Sequence, residues 1–269
     1  MTGIDDLERA AAQHWQAPEQ ERLGEWLLRA AEGFTGRANS ALPLGDPGLP
    51  RPEAVAYVTD WYRRRRLTPM IVVPLPLTGA RRHPLDNFLA ERAWLLRSGP
   101  AFVMTAALAD IPAPARHIDV QLAPEPDPGW LAGYRYRGQV LPPIARTLLM
   151  SAPWQAFASA RRDGPGGPGG PGNPGGPGNP GGPDTPAAVG RVSVAGSWGA
   201  ITAVEVDAGC RRQGLGAALT CALAAAAADR GANRILLQVE TGNTPARALY
   251  ARCGFRDSHR YHYRIAPAG

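Results

Sequence analysis

Apolar positions along the chain predict one order of strands and helices that occurs twice. Alternating or continuous apolar runs predict strands, and apolar residues three or four positions apart predict helices. The first set is a strand pair, a helix, a strand, a helix and a strand, at 26–30 with 39–42, 52–66, 70–75, 85–96 and 101–105. From residue 156 the order returns with strands at 156–161, 189–194 and 201–206, a helix at 217–230, a strand at 234–239, a helix to Gly254 and a terminal hairpin. The pattern predicts an α/β (α+β) fold with a mixed sheet flanked by helices.

The repeated order predicts two modules in tandem. Proline is frequent and periodicity is weak at 109–115, which favours a boundary there. We therefore predict an N-terminal module at 1–115 and a second module at 116–269 that opens with a strand at 118–122 and a helical stretch at 130–136. The first module lacks the glycine-rich turn of the second, so it is predicted to be a degenerate copy.

A segment of low complexity lies inside the second module. Residues 164–183 consist only of glycine, proline and asparagine. This composition offers no apolar surface for a core, so the segment is predicted to be a disordered loop. Because strands are predicted on both sides, the loop joins two strands of one module.

Composition narrows the chemistry. The 29 basic residues are all arginine, and against 23 acidic residues they give a net charge of +6. This balance favours an acidic partner or a ligand with several phosphates, and the absence of lysine excludes Schiff-base chemistry. Cys210, Cys221 and Cys253 have neither disulfide-like nor metal-like spacing, so we expect a reducing cytoplasm and no metal. No export signal or membrane-spanning apolar run is predicted.

The most informative motif is a glycine turn between the strand at 201–206 and the alanine-rich helix at 217–230. The turn reads Arg211-Arg212-Gln213-Gly214-Leu215-Gly216. The first N–H groups of a helix have no partner within the helix, and glycine lets a ligand approach them. The turn is therefore predicted to bind an anion such as a diphosphate. It matches neither the P-loop nor the dinucleotide-binding pattern.

Two motifs at the correct spacing resemble those of the GNAT superfamily of acyl-CoA-dependent N-acyltransferases. Arg211-x-x-Gly214-x-Gly216 resembles its pyrophosphate loop, and Asn243 to Tyr250 with Gly254-Phe255 resembles its second signature. Three shorter segments, Trp26-Leu-Leu-Arg29, Gly33-Phe34-Thr35 and Arg37-Ala-Asn-Ser40, resemble the opening of a two-module actinobacterial branch. The resemblance implies tandem GNAT-like modules, of which the second is active.

The resemblance also implies how acetyl-CoA is held as cosubstrate. The main chain of Val204 and Val206, on a strand that splays from its neighbour, is expected to contact the pantetheine arm. Asn243 is expected near the same arm, or as a local cap. The diphosphate is expected to be lined by seven consecutive residues, Arg211, Arg212, Gln213, Gly214, Leu215, Gly216 and Ala217.

Tyr250 and Glu205 are the candidate catalytic residues. A tyrosine phenol is protonated at neutral pH and can donate to a developing thiolate; the alternative role of Tyr250 is that of a core residue. Glu205 lies on the splayed strand with its side chain opposite to Val204 and Val206, so it could accept the amine proton. A solvent-facing ion pair is its alternative role. Glu240 is the competing carboxylate, and His259 and His262 are expected to be partly exposed strand residues.

These observations predict a cytoplasmic N-acetyltransferase that transfers an acetyl group from acetyl-CoA to a primary amine by direct attack in a ternary complex. The alternative is a non-catalytic acyl-CoA-binding or regulatory protein. The arginine run 63–66 could bind nucleic acid, but arginine also favours a helix C-terminus, and no nucleic-acid motif accompanies the run. We therefore predict neither a nucleic-acid nor a membrane partner. The acceptor and the oligomeric state do not follow from the sequence.

Overall fold

The computed structural model describes residues 3–78, 83–114, 117–161 and 185–267. The segment 164–183, predicted to be a disordered loop, lies outside the described residues. Within the described ranges, every helix is too short or too polar to span a bilayer.

The first half of the chain contains the predicted order of elements and three further ones. The elements are α1 (Ile4–Ala12), β1 (Glu19–Leu23), β2 (Trp26–Ala30), α2 (Arg51–Arg64), β3 (Met70–Pro76), α3 (Pro84–Glu91), β4 (Leu95–Leu96) and β5 (Ala101–Ala107). The predicted order is followed from β2 onward, with α1, β1 and β4 in addition. Helix α2 begins with Pro52 in its first turn, where a missing N–H costs nothing. Its periodic residues Val58 and Trp61 are buried in the same core cluster as Ile71 of β3. The helical spacing thus identifies the face that packs on the sheet.

The second half supplies the remaining strands and the two helices of the recognised motifs. The elements are β6 (Val120–Ala123), α4 (Pro128–Gly133), α5 (Ile144–Leu149), β7 (Trp154–Ala160), β8 (Ala188–Ala195), β9 (Trp198–Val206), α6 (Leu215–Asp229), β10 (Arg234–Glu240), α7 (Thr244–Arg252) and β11 (Arg256–Ile265). Alanine is the strongest helix former and fills most of α6, and Gly231, at φ 87°, follows its end. The predicted order strand, helix, strand, helix is confirmed here.

One mixed sheet contains strands from both halves of the chain. Its order is β3-β11-β5-β10-β9-β8-β7-β6, and β4 also pairs with β11. Only the β9–β10 pair is parallel among these ladders. Strand β5 lies between β10 and β11, and β11 lies between β5 and β3, so the strands of the two proposed modules interleave. The boundary at 115/116 remains a prediction about the repeat.

Three local predictions were wrong. The helix predicted at 85–96 ends at Glu91, because Ala93 takes φ 60° and Leu95 and Leu96 pair with β11. The predicted terminal hairpin is the single strand β11, whose edges are occupied by β3 and β5. Strand β2 pairs with β1, whereas the segment predicted as its partner bridges β2 at one position, Leu42 to Leu27, and bridges β3 through Ala41. Strands distant in sequence decided the first two outcomes, whereas β2 pairs with the strand that immediately precedes it.

Alternate residues of β10 pack on opposite faces of the sheet. Ile235 and Leu237 join the core cluster of α6, whereas Leu236 joins a cluster with Leu7 of α1. Helix α6 therefore covers one face, and the N-terminal elements cover the other. This division decides which side chains of the motif strands face α6 and which face the N-terminal half.

Asn39 fixes the loop that follows β2. Its side-chain oxygen accepts the N–H groups of Ala31 (2.8 Å) and Gly33 (2.9 Å), and its amide nitrogen donates to the carbonyls of Phe34 (2.7 Å) and Thr35 (2.9 Å). The side chain is buried, and of these bonds only the one from Gly33 is partly open to water. The Asn39 side chain therefore supplies the hydrogen bonds that stabilise this loop, which lies outside the helices and strands.

Replacing Asn39 with alanine is expected to lower the free energy of unfolding by roughly 2–4 kcal/mol, because buried backbone groups lose their partners. Asn39→Asp should be worse, because a carboxylate would face two carbonyl oxygens that now accept N–H bonds. Denaturant unfolding measures both values. The exposed Asn233→Ala serves as control and should change stability by less than about 0.5 kcal/mol. Equal effects at the two asparagines would contradict this role.

Candidate active site

Strands β9 and β10 separate at the end that carries the motifs. Their parallel pairing runs from Trp198–Arg234 to Ile201–Leu237 and includes none of the later residues of either strand. Strand β9 nevertheless continues to Val206 and β10 to Glu240. The predicted splay is therefore present. It leaves one edge of the end of β9 without β10 as a hydrogen-bonding partner.

A β-bulge accompanies the separation. Ala203 and Val204 together oppose Gly190 of β8, and Ala203 has φ 54°. A bulge bends and twists its strand, which turns the end of β9 away from β10. Gly190 allows close packing at this point, because an added Cβ would lie 2.9 Å from Leu223 Cδ1 of α6 and would force that side chain to shift. A glycine inside a strand is the sequence signal that could have revealed this bulge.

Beyond the bulge, side chains of β9 alternate between the two faces. A Cβ added at Gly190 would lie 3.5 Å from Val204 Cγ2, and one added at Gly216 would lie 3.8 Å from Val206 Cγ2, so both valines point toward α6. Glu205 points to the opposite face, where it interacts electrostatically with Tyr134. The predicted orientation of the three side chains is confirmed.

The glycine turn leads into the N-terminus of α6. Arg212 has φ 59° and Gly214 has φ 93°, so the chain turns through two left-handed residues before Leu215 begins the helix. Residues 211–214 are exposed. Ala218 donates to the Gly214 carbonyl, and the described residues offer no hydrogen-bond acceptor to the preceding N–H groups of the first turn, 215–217. The predicted geometry of an anion cradle is therefore present.

Side chains of the turn mainly brace its own backbone. Arg211 Nε donates to the Val206 carbonyl (3.4 Å), and Gln213 Nε2 donates to the Gly209 carbonyl (3.3 Å). Asp207 accepts the N–H of Gly209 (2.9 Å) and closes the start of the turn. These bonds connect the end of β9 to the cradle.

Gly216 has a packing role that the sequence did not indicate. A Cβ at this position would lie 2.9 Å from Leu249 Cδ2 of α7. The glycine therefore lets α6 and α7 approach each other. Because Val206 is also near, the splayed strand, the cradle helix and the second motif helix meet at Gly216.

The second motif forms α7. Its N-cap is Asn243, whose side-chain oxygen accepts the Ala246 N–H (3.2 Å). Asn243 is thus a local cap, and a contact with pantetheine stays a prediction. Gly254, at φ 89°, follows the helix close to the Asp110 carbonyl, which leaves no room for a side chain.

Tyr250 lies in the core beside α6. It is 7% exposed, and its ring is in edge contact with Phe255 at a centroid distance of 6.0 Å. Burial raises the pKa of the Tyr250 phenol to about 12, with a further contribution from Cys253. The phenol is therefore protonated throughout the physiological range. Its burial fits the core role, and its protonation fits the acid role.

The surroundings of Glu205 raise the pKa of its carboxyl group. Burial raises its pKa above the ordinary carboxyl range, and the positive charges of Arg211 and Arg135 oppose this shift without cancelling it. A raised pKa makes a carboxylate a better proton acceptor. The side chain is half-buried, and the described ion pairs do not include it. Glu240, at the end of β10, is the other carboxylate near the splay.

Both histidines of β11 hydrogen-bond to carboxyl groups of the N-terminal half. His259 is fully buried and hydrogen-bonds through Nε2 to Glu8 (2.7 Å), so its predicted partial exposure was wrong. His262 hydrogen-bonds through Nε2 to Asp86 (2.8 Å). Strand β11 is covered on both edges, which buries side chains that a terminal hairpin would expose.

The arginine run 63–66 completes the end of α2. Arg65 pairs with Glu19 (2.8 Å), and its guanidinium lies 3.7 Å from the Trp61 ring centroid. These contacts agree with the interpretation that the arginine run forms the C-terminal end of a helix.

The sequence matches a known protein family over nearly its whole length. The family described as "Probable histone acetyltransferase Rv0428c C-terminal" matches residues 2–264. The chain belongs to this acetyltransferase family. The match extends across nearly the whole chain and so includes both halves of the sheet.

Relatives and solved structures agree with this assignment. The chain is 26% identical to an uncharacterized N-acetyltransferase, YobR, of Bacillus subtilis, with 98% of this chain and 99% of the relative aligned. It is 32% identical to the probable histone acetyltransferase Rv0428c of Mycobacterium tuberculosis over 50% of this chain and 39% of that protein. A GCN5-related N-acetyltransferase from Kribbella flavida has the same fold, with a TM-score of 0.68 at 18% identity, covering 100% of this chain and 97% of that one.

A tandem GNAT protein from the clavulanic acid biosynthesis pathway is also similar in fold. Its TM-score is 0.63 at 15% identity, over 100% of this chain and 89% of that one. The chain therefore has an α/β fold of the GNAT type, which it shares with this tandem protein. This acetyltransferase is an enzyme of the acyltransferase class.

Introducing a negative charge at Gly214 is expected to abolish the thermal stabilisation by acetyl-CoA. Ligand at about 100 times its Kd stabilises a folded protein by roughly 2.7 kcal/mol, which appears as a rise in Tm. Gly214→Asp places a carboxylate where the diphosphate is expected. Gly214→Asn is the matched control, because both residues tolerate φ 93° better than most.

The two variants separate binding from folding. Aspartate at an N-cap stabilises a helix, so Gly214→Asp should not destabilise the unliganded protein relative to Gly214→Asn. Only the aspartate variant should lose the rise in Tm. An unchanged rise in that variant would place the diphosphate elsewhere.

Proposed function

We propose that this acetyltransferase transfers the acetyl group of acetyl-CoA to a primary amine by direct attack in a ternary complex. The observation that carries the proposal is the separation of β9 and β10 beside the N-terminus of α6. The opening offers backbone groups to an extended arm, and the helix terminus offers N–H groups to a diphosphate. The opening and the helix terminus lie next to each other at Gly216, where the end of β9, α6 and α7 pack together.

The residues present fit acetyl-CoA. Unpaired N–H groups at 215–217 and the exposed turn before them suit the diphosphate, and the seven residues predicted to line it are continuous there. The main chain of Val204 and Val206 borders the splay and would hold the pantetheine arm. Asn243, at the start of α7, would contact the same arm. When bound, acetyl-CoA supplies a thioester as the acyl donor.

Glu205 and Tyr250 have complementary acid–base properties. Glu205 would accept the proton released as the amine nitrogen forms its bond to the acyl carbon, directly or through water. Tyr250 would donate a proton to the sulfur as the carbon–sulfur bond breaks. The raised pKa of each group supports its role, because burial makes the carboxylate more basic and keeps the phenol protonated.

An amine screen tests this proposal against the non-catalytic alternative. The intact protein is incubated with acetyl-CoA and a panel of amines that includes lysine peptides, and release of free thiol is followed. Acetylation of any amine above the uncatalysed rate supports the enzyme. If acetyl-CoA binds but no amine is acetylated, the acyl-CoA-binding interpretation replaces it.

We further propose that the protein acts in the cytoplasm. Cys210, Cys221 and Cys253 are all free thiols, which suits a reducing compartment. The tandem division at 115/116 is retained as a proposal about the repeat, with the second module carrying the acetyl-CoA motifs.

A further inference from the structure

A cleft lies beside the end of β10, where this strand no longer pairs with β9. It has a volume of about 170 Å³ and is lined by residues that include Arg37, Arg97, Tyr136, Gln238 and Glu240. Gln238 and Glu240 follow Leu237, the last residue of β10 that pairs with β9. The cleft therefore opens next to the splay. Its volume is close to that of an engineered cavity of about 150 Å³ that binds benzene, so it suits a small group.

The cleft lies on the face of the sheet that Glu205 occupies. Leu237 and Val239 pack with the α6 cluster, so the alternating residues Gln238 and Glu240 point to the opposite face. That face is covered by the N-terminal half, which contributes Arg37 and Arg97 to the cleft. The cleft is thus formed by both halves of the chain.

Two guanidinium groups line this small cleft without a carboxylate partner among the described ion pairs. Arg37 Nη1 donates to Gln238 Oε1 (2.8 Å), and its guanidinium carbon lies 5.4 Å from the Trp15 ring centroid. Arg97 Nη1 lies 3.6 Å from Met70 Sδ. Both arginines are half-buried, and neither contact neutralises a cation.

A third arginine increases the positive potential next to Arg37. Arg191 is fully buried, its guanidinium carbon lies 5.5 Å from the Trp15 ring centroid, and its Nη2 has no hydrogen-bond partner among the described residues. Burial, followed by the charge of Arg37, lowers the Arg191 pKa to about 9. Burying an unpaired cation is unfavourable, so an anion held by Arg37 would offset this cost.

We propose that the acceptor amine carries a carboxylate, which Arg37 and Arg97 bind in this cleft. The proposal rests on the proposed acetyltransferase function and names the class of its acceptor. Arginine binds carboxylates through paired N–H groups, and the small volume favours a compact amino acid over a large substrate. The N-terminal half would then determine acceptor specificity.

The test compares acceptors that differ only in the acidic group. Glycine, β-alanine, 4-aminobutyrate and 5-aminopentanoate are each offered with the corresponding carboxamide, to the intact protein with acetyl-CoA. Removing a charge-assisted hydrogen bond is typically a 10–100-fold effect, so kcat/KM for at least one acid should exceed that of its amide by about this factor. O-phosphoethanolamine and a lysine peptide are included for comparison.

Variants assign the preference to the cleft. Arg37→Gln and Arg97→Gln should each reduce the acid-to-amide ratio toward one, whereas Arg37→Lys should retain part of it. The exposed Arg63→Gln, at the end of α2, should leave the ratio unchanged. Retention of the thermal shift with acetyl-CoA shows that each variant is folded.

Several outcomes would overturn the proposal. Amides as good as acids, a stronger preference for the phosphate or the peptide, or an unchanged ratio in both glutamine variants would each contradict it. The proposal would also be contradicted if the protein bound acetyl-CoA but neither bound nor acetylated any of the acids. Failure of acetyl-CoA to bind the parent protein would instead contradict the proposed function.

Discussion

Replacing Tyr250 with phenylalanine is expected to lower kcat by about 10²–10⁴-fold while leaving acetyl-CoA affinity nearly unchanged. The loss corresponds to removal of a positioned general acid. The ring would keep its contact with Phe255, so packing should change little. Steady-state kinetics and a thermal shift with acetyl-CoA measure the two quantities separately.

The pH dependence adds a second readout. Because burial raises the Tyr250 pKa to about 12, activity should not decline through deprotonation of this phenol between pH 9 and pH 10, where an ordinary tyrosine begins to ionise. Tyr57→Phe is the matched control, since Tyr57 is on α2 and hydrogen-bonds to Glu21. Equal kcat in the Tyr250→Phe variant and the parent would return Tyr250 to the core role.

Glu205→Gln is expected to lower kcat by a similar factor and to remove the acidic limb of the pH profile. A general base must be deprotonated, so activity of the parent should rise with pH through the pKa of Glu205. Burial places that pKa above the ordinary carboxyl range. Glutamine has nearly the same size but accepts no proton at neutral pH, and its profile should be flat in this region.

Glu240→Gln distinguishes the two carboxylates near the splay. Glu240 lines the proposed acceptor cleft, so its replacement is expected to act mainly on the KM of the amine. The acidic limb should persist in this variant. The opposite pattern, with the limb lost at Glu240 and kept at Glu205, would transfer the role of base to Glu240.

Local signals predicted the part of the fold that carries the motifs. The alternating strand before Arg211, the glycines of the turn and the alanine-rich helix after it each depend on neighbours close in sequence. The order β9, α6, β10, α7 and the orientation of Glu205 followed from them. The bulge at Ala203 was not predicted, because it depends on the pairing with Gly190.

Long-range pairing explains what the sequence did not reveal. Ala101 and Tyr261 are paired neighbours in the sheet although 160 positions separate them, and nothing local indicates the insertion of β5 between β10 and β11. The proposed acceptor cleft has the same origin. Arg37 meets Gln238 across 201 positions, so their hydrogen bond could not be read from either motif.

The interleaved strands have a consequence for synthesis of the chain. Strands β3 and β5 leave the ribosome well before β11, which fills the place between them. Until then each presents an unpaired edge, and exposed edges favour aggregation or pairing with another nascent chain. We therefore expect the N-terminal half to require protection by a chaperone until β11 has also left the ribosome.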